Sequence, residues 1–379
     1  MARLRICFPF VGDSVGGSQI SAAMLIGALD SARYEPRVVL HEAGPLARYM
    51  GDRGIGFETL PLAAYVGSGR GVLSHLKHIA SATPPLRRHL GQRRISIVHA
   101  QDGRMNQSWV LPARLAGAKF VWHQRSMYAP SRLTRATLRL ADRVVCNSEF
   151  ARQGLPSEAR PKAAVVDNPF DTESPPPARA EACRAVAAEV GLAADDRIVS
   201  FVGNLTAQKR PEVFLRAAAS IRARSPTPVR FLLLGRDRDG LQPALAALAG
   251  ELGIRDIVHF MGFRDPIAPW LAASDLLLAP EVDDAFGRTL VEAMLAGTPV
   301  VASDSGGHRE IVTHQGMGLL TPPDAPPAMA EVALALLADA DRCDEIAGQA
   351  RAGAVARYAL AAHAAAMTEI YDGLQPADG

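Results

Sequence analysis

Along the chain, short apolar runs of strand length close on glycine, proline, asparagine or polar residues, and the stretches between them are long enough for helices. Runs of this kind predict strands buried on both faces. Leu4–Val11, Arg37–Leu40, Ile95–His99, Phe120–His123, Val144–Asn147 and Ala163–Val166 make one series. Ile198–Val202, Phe231–Leu234, Ile257–Phe260, Leu276–Ala279 and Pro299–Ser303 make a second. Helices are expected at about Gln19–Leu29, Ala180–Val190, Gly287–Ala296, Ala328–Leu337, Arg342–Ala356 and Leu360–Leu374. Strand and helix alternate, which argues α/β architecture with parallel sheets carrying helices on both faces. Ligands meet such sheets at the carboxyl ends of the strands, so the strand exits at His99, Asp102, Arg104, His123 and Asn147 are candidate positions.

At 379 residues the chain is longer than a single core favours, and two domains are expected. Asp171–Ala178, with three consecutive prolines, reads as the linker; it divides a first domain, 1–172, from a second, 173–357. The 48% hydrophobic and 21% charged content is that of an ordinary globular protein. A net charge of +2, with no aromatic-rich basic module, gives no reason to expect a nucleic-acid partner. Cys7, Cys146, Cys183 and Cys343 lie far apart without a CxxC pair, which points to neither a zinc site nor a disulfide framework. The start carries only a strand-length apolar run, and no run is long enough for a membrane span, so a cytoplasmic protein is expected.

The most informative passage is Ala279–Ile311. A strand closes on Pro280, a loop leads into a helix, Gly297 caps it, Pro299 forbids its return, and a further strand follows. Within the helix Glu292 is flanked by Leu290, Val291, Ala293, Met294 and Leu295, an apolar setting in which a carboxylate needs hydrogen-bond donors. Asp284 stands eight residues earlier, and eight helical residues span roughly 12 Å. The two acids are therefore too far apart to act on one atom, but they suit opposite ends of one elongated ligand. Between them, the free N–H groups near Gly287 and Arg288 form a site for phosphate. A nucleotide sugar has that shape. The same elements also fit a plain βαβ segment with a capping Asp284 and a satisfied Glu292.

Asp284-Ala-Phe286-Gly287-x4-Glu292-Ala-Met, then Gly-Thr-Pro-Val-Val-Ala-Ser, Gly306-Gly307 and Glu310-Ile311, resembles the Glu-x7-Glu region of the retaining family 4 glycosyltransferases. That resemblance implies the GT-B fold: two Rossmann-like, doubly wound parallel-sheet domains facing a cleft. The C-terminal segment, about 358–379, would return to the first domain. It implies that Glu292 holds the donor ribose and that Asp284, where the family usually has Glu, contacts hydroxyls of the donor sugar. Gly203-Asn204-Leu-Thr-Ala-Gln-Lys209-Arg210 resembles the family's Gly-Arg-Leu-x3-Lys-Gly segment, whose Arg and Lys neutralise the diphosphate. Lys209 matches; Asn204 replaces the arginine, and Arg210 is the candidate substitute. Met261-Gly262-Phe263 resembles the segment along the nucleobase, and the turn at Gly16-Gly17 resembles the family's Gly-Gly loop near the donor phosphates. By itself that turn lacks GxGxxG spacing and is equally a βα connection. His123, in Val-Trp-His-Gln-Arg, resembles a histidine that lines the reacting centre; read alone, a strand-end histidine satisfied by backbone fits as well.

The expectation is a metal-independent, retaining glycosyl transfer from a nucleotide-diphosphate sugar to a glycan, lipid-linked or small-molecule hydroxyl, with no cofactor. Asp237-x-Asp239 alternates with arginines and reads as a solvated loop rather than a metal motif. A nucleotide-sugar epimerase of the same fold and a non-catalytic nucleotide-sugar-binding subunit are the rival readings, and an NAD-dependent oxidoreductase is disfavoured by the missing spacing. Arg132, Arg135, Arg139 and Arg143, interleaved with leucines, can present a cationic helix face to anionic lipid head groups at an inner membrane surface, to a phosphorylated acceptor, or simply to solvent; Arg87, Arg88, Arg93 and Arg94 form a second basic cluster.

Overall fold

The computed structural model describes residues 3–67, 71–193 and 195–375; residues 1–2 of the expected first domain and 376–379 of its expected C-terminal segment lie outside the described residues. The chain folds as two compact units: Met1–Phe170 with Tyr358–Gly379, and Asp171–Arg357.

The first unit holds a seven-stranded sheet. Its strands are β1 (Leu4–Phe10), β2 (Tyr34–Leu40), β3 (Phe57–Thr59), β4 (Ile97–Ala100), β5 (Lys119–Gln124), β6 (Arg143–Cys146) and β7 (Ala163–Val165). They lie in the order β3-β2-β1-β4-β5-β6-β7, all parallel. Strand order reverses between β1 and β4, the switch point at which such sheets open a ligand crevice beyond their carboxyl ends. Ile6, Phe8 and Phe10 alternate onto one face and pack with Val38, Leu40, Ile97, Val121 and Val145. The helix Leu360–Asp372 completes this layer, burying Ala364, Met367 and Tyr371 in the same cluster, and its end is held by Asp372 against Arg33 at 2.6 Å and the Tyr34 hydroxyl at 2.7 Å.

Strands β2 and β3 depart most from the expectation in this sheet. Strand β2 starts three residues before Arg37 and runs through Pro36, because β3 faces only Val38–Leu40 and leaves Pro36 on an open edge that asks for no N–H. Strand β3 was not expected at all: its three residues, with Phe57 exposed, make no apolar run.

The second unit holds a six-stranded parallel sheet. Its strands are β8 (Arg197–Val202), β9 (Val229–Leu234), β10 (Val258–Gly262), β11 (Leu276–Ala279), β12 (Val300–Ser303) and β13 (Leu319–Thr321), in the order β10-β9-β8-β11-β12-β13. Both faces are covered. Val199, Phe201, Phe231, Leu233, Leu276 and Leu278 join one cluster, while Ile198, Leu232 and Leu234 pack on the other face with Ala182, Val186 and Trp270. Burial on both sides is why these strands read as unbroken apolar runs rather than alternating ones. Here the order reverses between β8 and β11. No helix among the described residues is long and apolar enough to cross a membrane.

Because Met367 is fully buried, Met367→Ala is expected to cost the first unit about 2–5 kcal/mol, read as a lowered urea midpoint of its own unfolding transition.

Candidate functional site

In the second unit, the loops leaving β8 and β11 meet at the switch point. Strand β11 ends at Ala279, and just beyond Pro280 the carboxylate-bearing Glu281 is only 1% exposed. From the other side, a short 3-10 turn at Ala207–Lys209 carries Lys209 inward, its stem against Gly203, 3.5 Å from where a side chain on that glycine would begin. The Lys209 ammonium lies 3.0 Å from Glu281 Oε1 and 2.5 Å from Asp284 Oδ2. His308, on the helix Gly306–Val312, places Nε2 3.7 Å from the same Glu281 oxygen.

Burial pushes the Asp284 carboxyl up, but the ammonium beside it outweighs that, with His308 adding to it, and its pKa falls to about 2. Burial alone would lower the Lys209 pKa, yet Glu281 and Asp284 raise it, so the lysine stays charged. Burial lowers that of His308. Two of the three ammonium N–H groups are taken by the carboxylates. The third has no partner among the described residues, and the side chain remains 23% exposed.

The helix Arg288–Ala296 starts immediately beyond this cluster, with Gly287 as its N-cap at φ 101°, a left-handed conformation in which a Cβ would sit 2.6 Å from the His308 ring. Gly307 is required for a different reason: its N–H donates to Asp284 O at 2.8 Å, and a Cβ there would press to 2.7 Å from Phe286 Cα and Ala285 O. The Gly-Gly turn thus lets the second loop pack directly onto the first. The N-terminus of this helix, a fixed cation and a carboxylate are gathered at one strand end. That combination has the chemistry to hold a phosphate flanked by hydroxyls.

Glu292 is placed differently from its expected apolar setting. Its apolar neighbours Leu290, Val291, Ala293 and Met294 take the buried faces, while Glu292 shares the remaining face with Arg288 one turn before it, 3.4 Å away, and is 25% exposed. Phe286 has a buried ring, so only its backbone can reach a ligand; its N–H lies 3.4 Å from Asp284 Oδ1. Arg210 caps the helix Pro211–Arg224 and directs its guanidinium to Asp324 at 3.2 Å, while Asn204 lies half-buried beyond β8. Gly262 ends β10 and accepts from Gly235 N–H at 2.8 Å, and the exposed Phe263 ring carries the Arg236 guanidinium 4.2 Å above it. Asp237 accepts from Leu241 and Gln242 N–H at 2.7 and 3.1 Å, closing a turn.

In the first unit, His123 is the penultimate residue of β5 and is fully buried. Its Nδ1 lies 3.0 Å from His99 Nε2, and His99 Nδ1 lies 2.6 Å from the Tyr371 hydroxyl. Arg125 joins the same layer, donating to Gln101 Oε1 at 2.8 Å and to Asn168 Oδ1. Gly16 precedes the helix Gly17–Ala28, and its N–H donates to Gln19 Oε1 at 3.1 Å; with φ −143° its backbone is one that any residue adopts. Asp102 is the cap of the helix Gly103–Ala116, accepting from Arg104 and Met105 N–H, and Arg104 turns to Asp13 at 2.6 Å. The arginine series does not share one helix. Arg132, Arg135 and Arg139 lie on Arg132–Arg139, with Arg135 and Arg139 paired to Glu158 at 2.8 and 3.1 Å, whereas Arg143 opens β6.

Three residues of these clusters were missed in the sequence reading: Glu281, His308 and Tyr371. Glu281 follows directly on a buried strand, a position that would have marked it as an enclosed acid. His308 follows the Gly-Gly pair, but Tyr371 carries no local signal.

The two sheets, each with the Rossmann strand order and a switch-point site, define a GT-B fold. Solved structures of that fold superpose on the chain: HepE from Anabaena, determined with UDP and glucose, gives a TM-score of 0.80 at 23% identity over 98% of this chain and 100% of that one. A glycosyltransferase from Rickettsia africae gives 0.83 at 17% identity over 99% of each. Family models described as Glycosyltransferase Family 4 and Glycosyl transferases group 1 match residues 15–174 and 196–339, and the chain belongs to the family 4 (group 1) glycosyltransferases. A D-inositol 3-phosphate glycosyltransferase of Thermobispora bispora is 35% identical over 61% of this chain and 56% of its own length, and one from Nocardia farcinica 38% over 53% and 46%. The chain thus spans about half the length of the curated relatives it matches.

A carboxylate whose pKa is depressed by folding adds stability above its unfolded value, near 4, and loses it as pH falls toward its folded value. The gap in urea stability between the wild type and Asp284→Asn is therefore expected to be on the order of 2 kcal/mol above pH 5 and to close progressively below pH 4, Asp284 titrating near 2. Gly287→Ala, strained at its φ and in contact with His308, is expected to lower stability by about 1–3 kcal/mol in the same measurement.

Proposed function

We propose that the protein transfers a glycosyl group from a nucleotide-diphosphate sugar to a hydroxyl acceptor, with retention of configuration and without a metal ion. The observation that carries this reading is the Lys209 ammonium fixed between Glu281 and Asp284 at the N-terminus of the helix Arg288–Ala296. The unpartnered third N–H of Lys209 and the helix N–H groups take the donor diphosphate. Asp284 accepts from sugar hydroxyls, and Glu292 from the ribose. Breaking the anomeric C–O bond places negative charge on the leaving diphosphate, and these groups are already oriented toward it, which is preorganised electrostatic stabilisation. Glu281, Asp284 and His308 together have the spacing of a cation site, and the lysine supplies that charge from between the two carboxylates. With the leaving phosphate as the group that accepts the acceptor's proton, no separate nucleophile is required. The UDP complexes of HepE make uridine nucleotides the first donors to test, and the relatives make D-inositol 3-phosphate the first acceptor, alongside saccharide and lipid-linked hydroxyls.

Thermal-shift titration with UDP, GDP, ADP and TDP and their sugars, in EDTA, tests the donor half. One nucleotide is expected to raise the melting temperature, and Glu292→Ala to weaken its binding about 10- to 100-fold through the lost charged hydrogen bonds. A response only to NAD, or one that requires a divalent ion, overturns the reading. Product formed from donor alone identifies an epimerase, and binding without turnover across the acceptor panel identifies a non-catalytic subunit.

A further inference from the structure

The buried row Tyr371–His99–His123 fixes where its protons lie. Tyr371 is fully buried, and the Nδ1 of His99 at 2.6 Å is its hydroxyl's hydrogen-bond partner among the described residues. A phenol must place its proton on an acceptor, and a buried hydroxyl left without one is costly. The hydroxyl therefore donates to His99 Nδ1. His99 then carries its proton on Nε2, which points at His123 Nδ1 at 3.0 Å. The two imidazole planes lie within 6° of one another with centroids 5.3 Å apart, the edge-to-edge arrangement of an in-plane N–H···N bond. His123 Nδ1 is thus an acceptor, and its own proton stands on Nε2. That atom is buried and has no hydrogen-bond partner among the described residues. The reverse order, with His123 donating to His99 and His99 to Tyr371, would leave the tyrosine proton with no acceptor.

The electrostatics agree. Burial, with the Arg125 cation adding to it, pushes both imidazoles well below their ordinary pKa, and burial pushes the Tyr371 hydroxyl well above its own, so all three groups are neutral.

We infer that Tyr371, through His99, sets His123 as a neutral imidazole with its proton on Nε2, so that toward a ligand at the carboxyl ends of β4 and β5 His123 is a hydrogen-bond donor to an oxygen and not a base. Tyr371 and His99 are positioning residues. The ligand contact of His123 rests on the proposed transferase function, whereas the proton arrangement rests on the geometry alone. It also accounts for a tyrosine on the last helix being directed into the layer at the carboxyl ends of β4 and β5.

The test is long-range proton–nitrogen correlation NMR of the full chain labelled in its histidine rings, with His99 and His123 assigned through His99→Gln and His123→Gln. Both residues are expected to show a protonated Nε2 and a bare Nδ1 at neutral pH. A protonated Nδ1 on His123, or a charged ring, overturns the inference. Tyr371→Phe, which keeps the ring volume, is expected to give His123 a mixture of tautomers and to lower kcat about tenfold, the scale of one neutral hydrogen bond, with donor KM nearly unchanged. His123 retaining the wild-type pattern in that variant also overturns it. The wild-type spectrum decides the point even if no nucleotide sugar is turned over, so failure of the transferase reading and failure of this one are told apart.

Discussion

The second unit depends on one arrangement: a lysine ammonium held between two carboxylates at the end of a parallel sheet. Glu281 is nearly devoid of solvent, and an ionised carboxylate in that position is tolerable only with a cation beside it. Lys209 supplies it from the loop after the neighbouring strand, and the reversal of strand order between β8 and β11 is what brings those two loops together. The glycines nearby are consequences of the same constraint. Gly287 leaves room for the His308 ring, and Gly307 lets its backbone bond to Asp284 O, so the loop carrying the acids is clamped from both sides. Burying an ion cluster adds little net stability. What it secures here is position, since each charged group holds the others in place before any ligand arrives.

The first unit solves a similar problem with neutral rings beside a single guanidinium. At the corresponding strand ends, His99, His123 and Tyr371 bond to one another in a layer that also holds Arg125, Gln101 and Asn168. Trp109 and His41 repeat the pattern beside it: the indole N–H donates to His41 Nε2 at 3.0 Å, and His41 Nδ1 lies 2.8 Å from the Leu60 carbonyl, which again fixes a neutral imidazole. Polar groups cluster at the carboxyl ends while the strand interiors stay apolar. The unit is thereby dry where it must cohere and polar where it can meet a ligand.

Much of this was legible in the sequence because the two-sided burial of the central strands writes itself as unbroken apolar runs, and because Gly297 and Pro299 bracket a helix end unambiguously. The spacing of Asp284 and Glu292 carried the family resemblance. The edge strands β3 and β13 were not legible, since three residues with one open side need no apolar run. Nor was the partnership of Arg288 with Glu292, whose apolar chain neighbours disguised a face that turns to solvent. In the sequence Glu281 stands beside Val282 and Asp283 and Tyr371 near the end of the last expected helix, with no motif to single out either. Their roles come from contacts across 72 positions to Lys209 and 272 positions to His99, which no local pattern encodes.

The helix Leu360–Asp372 belongs to the core of the first unit, although the whole of the second unit lies between it and the rest of that core. On the ribosome this sets an order of events. The first unit emerges without the helix that contributes Ala364, Met367 and Tyr371 to its cluster and stays so while residues 171–357 are made, an interval of roughly ten to forty seconds at ordinary synthesis rates. The second unit, continuous in sequence, has all its parts in hand first. The unit begun earliest is therefore the last to close, and its exposed apolar face is the part of the nascent chain that a chaperone would be called on to shield.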